Sequence, residues 1–222
     1  AARKAETVEA MFNRIAARYD ALNRLFTFGL DAGWRRRTVS ELRLPRGSRV
    51  VDLACGTGDL CDELARTGLR PLGVDFAAGM LARAHTSAPL LRGDITRLPL
   101  RTASFDGATC GFALRNVTDI RACFAETARV LRPGGRAAFL EVASPRNALL
   151  RAAHGLYFNR VVPWVGARLS DGVAYRYLPA SAAYLPEPRE LCRLLEKCGF
   201  SDVRRIALGG GAAQLLTGTR AA

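Results

Sequence analysis

The segment Val50-Val51-Asp52-Leu53-Ala54-Cys55-Gly56-Thr57-Gly58-Asp59 constrains the fold more than any other stretch of the chain. A short apolar run meets a carboxylate, two glycines bracket a threonine, and Asp59 to Arg66 has the pattern of a helix. A buried strand that turns so abruptly into a helix leaves backbone N–H groups and bare Cα atoms at its carboxyl end, open to a ligand. The glycines allow the positive φ angles and close approach that such a turn requires. A glycine pair of this kind is a weak signature alone, so the surrounding pattern has to support it.

That pattern alternates short apolar runs with helices. Arg49 to Ala54 reads as a buried strand and Asp59 to Arg66 as a helix; Leu72 to Asp75 is the next strand, followed by a helix over Ala77 to Ala84. Leu90 to Arg92 and Phe105 to Cys110 are further strands. An amphipathic helix over Thr118 to Leu131 ends at the turn Arg132-Pro133-Gly134-Gly135, and Arg136 to Val142 is a strand again. Such alternation makes a parallel sheet covered on both faces. The end departs from this rhythm. After a helix over Glu187 to Lys197, the strands Val203 to Leu208 and Gln214 to Gly218 are joined only through Gly209-Gly210-Gly211. They must pair antiparallel, since a parallel crossover takes about a dozen residues or more. The expected fold is α/β and Rossmann-like: a seven-stranded, mostly parallel sheet with an antiparallel C-terminal strand and helices on both faces, the layout of class I methyltransferases.

Ahead of the sheet, Thr7 to Tyr19 carries Val8, Met11, Phe12, Ile15 and Ala16 at helical spacing. A second, basic helix is expected over Asp31 to Leu42, with Asp31 as N-cap. The 222 residues suit one domain. Within it we expect an N-terminal helical cap (1–44), a cofactor-binding core (45–142), a substrate lid or insertion (145–185) and a C-terminal helix and hairpin (186–222).

Net charge is +13, and all but two of the 33 basic residues are Arg. A basic surface attracts nucleic acid, anionic lipid or acidic substrates, yet the arginines are scattered rather than clustered. The six cysteines form no CxxC pair, so neither a zinc site nor a disulfide framework is expected. No apolar run reaches the roughly 18 residues that cross a bilayer, and the N-terminal residues lack the apolar core of a signal peptide. A cytoplasmic protein is the expectation. The stretch Leu149 to Val165, apolar but carrying Arg151 and Arg160, reads as a core-covering helix or as an amphipathic lid with peripheral membrane contact.

Three features narrow the cofactor. Asp75 ends the second strand, where a carboxylate can accept both hydroxyls of a ribose. Cys61 stands where the third glycine of a dinucleotide fingerprint would fall, which disfavours a nicotinamide dinucleotide. Arg132-Pro133-Gly134-Gly135 precedes the fifth strand, as it commonly does in class I methyltransferases. Together they point to S-adenosylmethionine, with S-adenosylhomocysteine as product and no metal.

Beyond that class, the chain resembles the menaquinone/ubiquinone-biosynthesis C-methyltransferases. The matching residues are Met11 to Asp20, Trp34-Arg35-Arg36, Asp52 to Leu60, Asp75-Phe76-Ala77-Ala78-Gly79-Met80-Leu81, Gly111 to Asp119, Arg129 to Arg136, and Tyr175-Arg176-Tyr177-Leu178. The block Leu114-Arg115-Asn116-Val117-Thr118-Asp119 is the most specific of these. The resemblance implies that Thr57 and Asp75 contact the cofactor, Asp75 at the ribose, and that Asp94 and the backbone of Ile95 lie at the adenine. Asp52, Gly56, Gly58 and Phe76 complete the expected cofactor set with Gly111, which stands where the family often has Ser. A small lipophilic quinol, demethylmenaquinol first, is the implied substrate. A homodimer is a further expectation.

Methyl transfer to an aromatic carbon asks the protein to hold that carbon in line with the methyl and to favour the phenolate. Arg115 and Asn116, just beyond the fourth strand at the carboxyl edge of the sheet, are the candidates, with Tyr19 on the N-terminal segment as a third. The competing role for Arg115 is a structural ion pair with Asp20 or Asp119. Neither His85 nor His154 falls on the matched motifs, and His154 reads as a packing residue; proton removal is then left to water or a carboxylate such as Asp20. A nucleic-acid methyltransferase is disfavoured, because there is no Pro-Cys dipeptide and Gly111-Phe112-Ala113-Leu114 replaces the Asn/Asp-Pro-Pro-aromatic signature of amine-directed enzymes. A related enzyme acting on another phenol or specialised metabolite is the main alternative, and a cofactor-binding protein without catalysis the weakest.

Overall fold

The computed structural model describes residues 2–15, 19–145, 147–162, 164, 168, 181 and 184–222, without the side chains of 2–7, 15, 19, 20 and 159. Three helices come first: α1 (Ala2–Ile15), α2 (Tyr19–Phe26) and α3 (Leu30–Leu42). The alternating core follows with β1 (Arg49–Leu53), α4 (Asp59–Arg66), β2 (Arg70–Asp75), α5 (Ala78–Leu81), β3 (Leu90–Arg92), β4 (Phe105–Gly111), α6 (Ile120–Val130) and β5 (Leu131–Val142). Then come α7 (Ala148–Leu156), which continues as a π turn over Tyr157–Val161, α8 (Pro188–Lys197), β6 (Phe200–Leu208) and β7 (Ala213–Arg220).

The strands form one sheet in the order β3-β2-β1-β4-β5-β7-β6. The β1–β2, β1–β4, β2–β3 and β4–β5 ladders are parallel, and β7 runs antiparallel to both β5 and β6. The expected layout of seven strands with a reversed C-terminal strand is therefore observed. Val50, Val51 and Leu53 of β1 and Phe139 and Leu140 of β5 are fully or almost fully buried, as parallel strands covered on both faces must be. One face packs Phe124 of α6 and Leu191 and Leu195 of α8. The other packs Val39 and Leu42 of α3 and Leu60 and Leu64 of α4. A smaller apolar cluster, Met11, Leu22 and Val162, joins the N-terminal helices to the segment after β5.

Several boundaries differ from the sequence reading. Asp31 does not cap α3. Gly29, with φ of 73°, holds that position, and Asp31 lies one residue inside the helix, buried, where it accepts a hydrogen bond from Thr27 Oγ1 (2.8 Å) and pairs with Arg35. Of the helix expected over Thr7 to Tyr19, the structure describes the part up to Ile15 as α1; residues 16–18 lie outside the described residues, and Tyr19 opens α2, whose Leu22 and Phe26 pack with Met11 and Val162. The turn Arg132–Gly135 is absorbed into β5 as an irregularity: the register passes from Phe105↔Leu131 directly to Gly107↔Arg136. The first turn of α6 is capped by Asp119, whose carboxylate accepts from Ala122 N at 2.9 Å. Asp119→Ala should lower unfolding free energy by roughly 0.5–2 kcal/mol, as lost N-caps do, while ligand affinity stays unchanged; denaturant titration against calorimetric binding checks both.

Candidate cofactor cleft and adjoining cavity

The loop after β1 takes its shape from three left-handed residues, Ala54 (φ 53°), Gly56 (φ 57°) and Gly58 (φ 100°). A non-glycine residue at positive φ is uncommon and is held only by its surroundings. Here the restraint comes from β2. Cys55 N donates to Val74 O at 3.0 Å. Gly56 N donates to Asp75 Oδ2 and Ala77 N to Asp75 Oδ1, both at 2.8 Å. One carboxylate thus fastens both loops at the carboxyl edge of the sheet. Burial lifts the Asp75 carboxyl above its ordinary range, opposed by these amides.

Asp52 lies deeper, 1% exposed, accepting from Thr109 Oγ1 at 2.7 Å and from the Cys61 thiol at 3.6 Å. Burial pushes its carboxyl up to about 7, with those two hydrogen bonds opposing.

A cleft of about 1170 Å³ opens over these loops. Asp52, Gly56, Thr57, Asp75, Phe76, Asp94, Ile95, Gly111 and Asn116 all line it. Gly58 does not. It precedes α4, and a Cβ there would stand 2.5 Å from Thr86 Cγ2, so its requirement is internal. Gly111 is bare because Leu60 fills the space, a Cβ falling 2.8 Å from Leu60 Cδ1; no serine-type contact exists at this point. The sequence reading missed the α1 wall: Val8, Glu9 and Phe12 line the same cleft. Asn13 Oδ1 accepts from Gly79 N (2.8 Å), and Glu9 pairs with Arg92 (2.9 Å), fixing α1 over the opening. A carboxylate at the rim, apolar walls from Phe76, Ile95 and Met80, and unobstructed backbone at Gly56 fit an adenosine-bearing ligand.

A second, largely apolar cavity, about 950 Å³ with the open solvent at its mouth counted, adjoins the first. Phe26, Phe28, Trp34, Tyr157, Phe158 and Val162 supply its apolar walls, and Arg115 and His154 face it. Arg35 and Phe112 line both spaces and so form the partition. Arg35 is pinned between Asp31 and Asp59, the latter at 2.9 Å. Phe112 sits at φ 57°, a strained setting for a bulky residue, with its N–H donating to Leu140 O at 2.7 Å.

The two central candidates therefore face different spaces, Asn116 the cleft and Arg115 the apolar cavity. Arg115 is 5% exposed and ion-paired to Glu141, at the end of β5, rather than to Asp119, while the Asp20 side chain lies outside the described residues. The turn Leu114–Asn116 aims the guanidinium inward over β5, while the Asp119 carboxylate is spent on α6. Glu141 also accepts from Arg115 N at 3.2 Å and Val142 N at 2.8 Å. Nothing in the sequence marks Glu141 except its place at the end of an apolar strand. Arg115 Nε and Asn116 Oδ1 are buried without a hydrogen-bond partner among the described residues. The side chains of Tyr19 and Asp20, and Tyr175 to Leu178, lie outside the described residues. So does much of the expected 145–185 lid. Among the described residues no group of acidic, His or Cys side chains has the spacing of a metal site.

Sheet order, reversed β7 and a cleft over β1, β2 and β4 define a class I S-adenosylmethionine-dependent methyltransferase. A Thermotoga maritima S-adenosylmethionine-dependent methyltransferase superposes with a TM-score of 0.68 at 22% identity, covering 95% of this chain and 98% of that one. The ubiE/COQ5 methyltransferase family model matches residues 1–220, and the chain belongs to that family. It is 47% identical to a Roseiflexus castenholzii demethylmenaquinone methyltransferase over 98% of this chain and 94% of that protein. A Geobacter sulfurreducens ubiquinone/menaquinone biosynthesis C-methyltransferase UbiE is 39% identical, over 98% and 90% respectively.

Asp52 offers a test of the cleft's electrostatics. A buried carboxyl with a raised pKa favours the fold while protonated, below about pH 4, and that advantage is lost as pH rises through about 7. Asp52→Asn never ionises. Relative to the parent it should gain on the order of 4 kcal/mol of stability between pH 4 and pH 8, from about 1.4 kcal/mol per pKa unit. Denaturant melts of the ligand-free protein at the two pH values measure it.

Proposed function

We propose that the protein methylates a ring carbon of a prenylated quinol, demethylmenaquinol in the first place. The observation that carries this reading is the seam between the two spaces. An apolar cavity suited to a polyisoprenoid phenol abuts the cofactor cleft, and the unpaired Arg115 Nε and Asn116 Oδ1 lie at adjoining positions beside it. Each is a buried polar atom left open for a partner: the first can donate to an oxygen in the apolar cavity, and the second can accept from a hydroxyl or a water at the cleft.

S-adenosylmethionine, when bound, supplies an electrophilic methyl on a sulfonium. Asp75 would accept from its ribose hydroxyls, Asp94 and Ile95 would hold its adenine, and Gly56, Thr57 and Phe76, with Asp52, would line the rest of the cleft it occupies. Arg115 favours the substrate oxygen as an anion, and that charge makes the neighbouring ring carbon nucleophilic. Asn116 orients the hydroxyl, and Glu141 keeps Arg115 from turning away. Tyr19 remains a third candidate at the substrate. Labelled cofactor presented with demethylmenaquinol, a demethoxy-type benzoquinol and simple naphthols tests the assignment; methylation of an unrelated phenol alone would overturn the quinol reading. Arg115→Ala should lower turnover at least 100-fold with cofactor affinity retained.

We further propose that the protein meets its substrate at a bilayer surface. Phe28 and Leu30 line the apolar cavity and are also exposed, 76% and 53%, so they mark its opening. Leu149 and Leu156 of α7 stand exposed nearby in sequence to the cavity residues His154 and Tyr157, with Arg151 and Arg160 exposed on the same segment. Apolar residues fringed by cations suit an anionic lipid surface. No helix among the described residues is long and apolar enough to cross a membrane. Flotation with vesicles containing phosphatidylglycerol, reversed by salt and weakened by Phe28→Ser/Leu149→Ser, is expected; absence of binding counts against this contact.

A further inference from the structure

Among the described residues, the apolar cavity is lined by one group able to take a proton at neutral pH, and it is not a residue of any matched motif. The titratable and charged side chains facing it are Asp31 and Arg35 from α3, Arg115 from the turn after β4, and His154 and Tyr157 from α7 and its continuation. Asp31 is committed: it accepts from Thr27 Oγ1 and pairs with Arg35. The two arginines stay protonated at any working pH. Tyr157 uses its hydroxyl to donate to Phe26 O at 3.0 Å, and burial raises its pKa further. That leaves His154. Its ring stacks on Phe158, with centroids 5.6 Å apart and planes 12° from parallel, which holds the imidazole against the cavity wall. Partial burial lowers its pKa, so the ring is neutral and able to accept at pH 7.

We propose that His154 is the general base that removes the substrate hydroxyl proton, with Arg115 holding the resulting anion. The inference rests on the reading of the cavity as a phenol site. In the step itself the O–H bond breaks and its electron pair stays on oxygen, while an N–H bond forms on the imidazole. The substrate becomes the anion that Arg115 stabilises, and His154 becomes a cation. When the methyl has replaced the ring hydrogen, that hydrogen leaves as a proton and His154 returns its own to the oxygen. One proton is released per turnover, and the histidine is neutral again. Partial burial disfavours the imidazolium, so the base is restored for the next cycle. No local pattern in the sequence marks this, because His154 and Arg115 come from separate stretches of the chain and meet only as walls of one cavity.

The test uses the full chain, saturating cofactor and a phenolic acceptor that the parent protein methylates. His154→Phe keeps the stacked ring and removes the base. Its kcat should fall about 100-fold or more, with cofactor affinity and melting temperature close to the parent's. The acid limb of the parent's kcat–pH profile, lying below 6.5, should disappear with it. His154→Ala should be inactive in the same way and recover with added imidazole, in proportion to its neutral form. Parent-like kcat and an unchanged pH limb in His154→Phe would overturn the proposal. So would an inactive His154→Ala that imidazole does not rescue but His154→Asn restores, since that outcome means packing. Should His154→Phe fail to fold, His154→Gln serves the same comparison. Failure of the parent to methylate any quinol or phenol would instead defeat the functional reading, and is seen before any variant is made.

Discussion

The Asp75 carboxylate is the interaction on which the rest of the site depends. Its two oxygens take the amides of Gly56 and Ala77, one from each of the loops that follow β1 and β2. Backbone bonds such as Cys55 N to Val74 O and Met80 N to Ala77 O hold parts of each loop, and the carboxylate is the group that ties the two together. The β1 loop is strained at Ala54, and the segment after β2 is followed by only the short α5. The carboxylate is costly to bury, and its raised pKa expresses that cost. A group kept ionisable in such a place and already tied to two amides is a prepared acceptor rather than a surface charge turned inward. The α1 helix builds on the same foundation, because Asn13 anchors to Gly79 of α5 and Glu9 to Arg92 at the end of β3.

The partition between the two cavities follows from a second set of constraints. Arg35 is held by Asp31 on its own helix and by Asp59 at the start of α4, so the N-terminal helices are locked to the helix that leaves the cofactor loop. Phe112 is held at positive φ by its bond to Leu140 and by Trp34, whose ring centre lies 6.3 Å away. Strain kept at such a point has to be offset by the surrounding packing. What it secures here is the position of Phe112 as a wall common to both spaces. The buried Arg115–Glu141 pair belongs to the same construction. A pair of this kind adds little net stability, but losing one partner leaves an uncompensated charge and costs about 3–5 kcal/mol. It therefore serves to fix direction more than to hold the fold.

Much of this was legible in the sequence, and the reasons divide cleanly. The sheet could be read because parallel strands are continuous apolar runs, and because a three-glycine connection permits only an antiparallel return. The cleft could be read because Gly56, Thr57 and Asp75 lie close in sequence to the strand ends that define it. Residues that depend on long-range packing could not. Glu141 looks like one polar residue in a buried strand, and its partner is 26 positions earlier. Asp31 has the composition of an N-cap, yet Gly29 takes that place and frees the carboxylate for Arg35. The second cavity has no local signature at all. Phe26, Trp34, Phe112, Tyr157 and Val162 come from four separate stretches and are each unremarkable as core residues.

Charge at the floor of the cleft bears on which ligand it holds. Asp52 and Asp75 lie near enough for each Asp52 ionisation to be opposed by Asp75, and burial raises both. A cation placed above them relieves that cost; a neutral ligand of the same shape does not. S-adenosylmethionine carries a sulfonium and S-adenosylhomocysteine a neutral thioether. A sulfonium held over these two carboxylates would be favoured there over a neutral thioether. Arg115 is kept out of this balance by Glu141 and by facing the other cavity. A bare guanidinium beside the sulfonium would repel it, whereas one neutralised by a carboxylate and turned toward the apolar side does not. Asn116 and Arg115 thus stand on two sides of one seam, and the Arg115 guanidinium with its Glu141 partner is kept away from the cleft that Asp52 and Asp75 line.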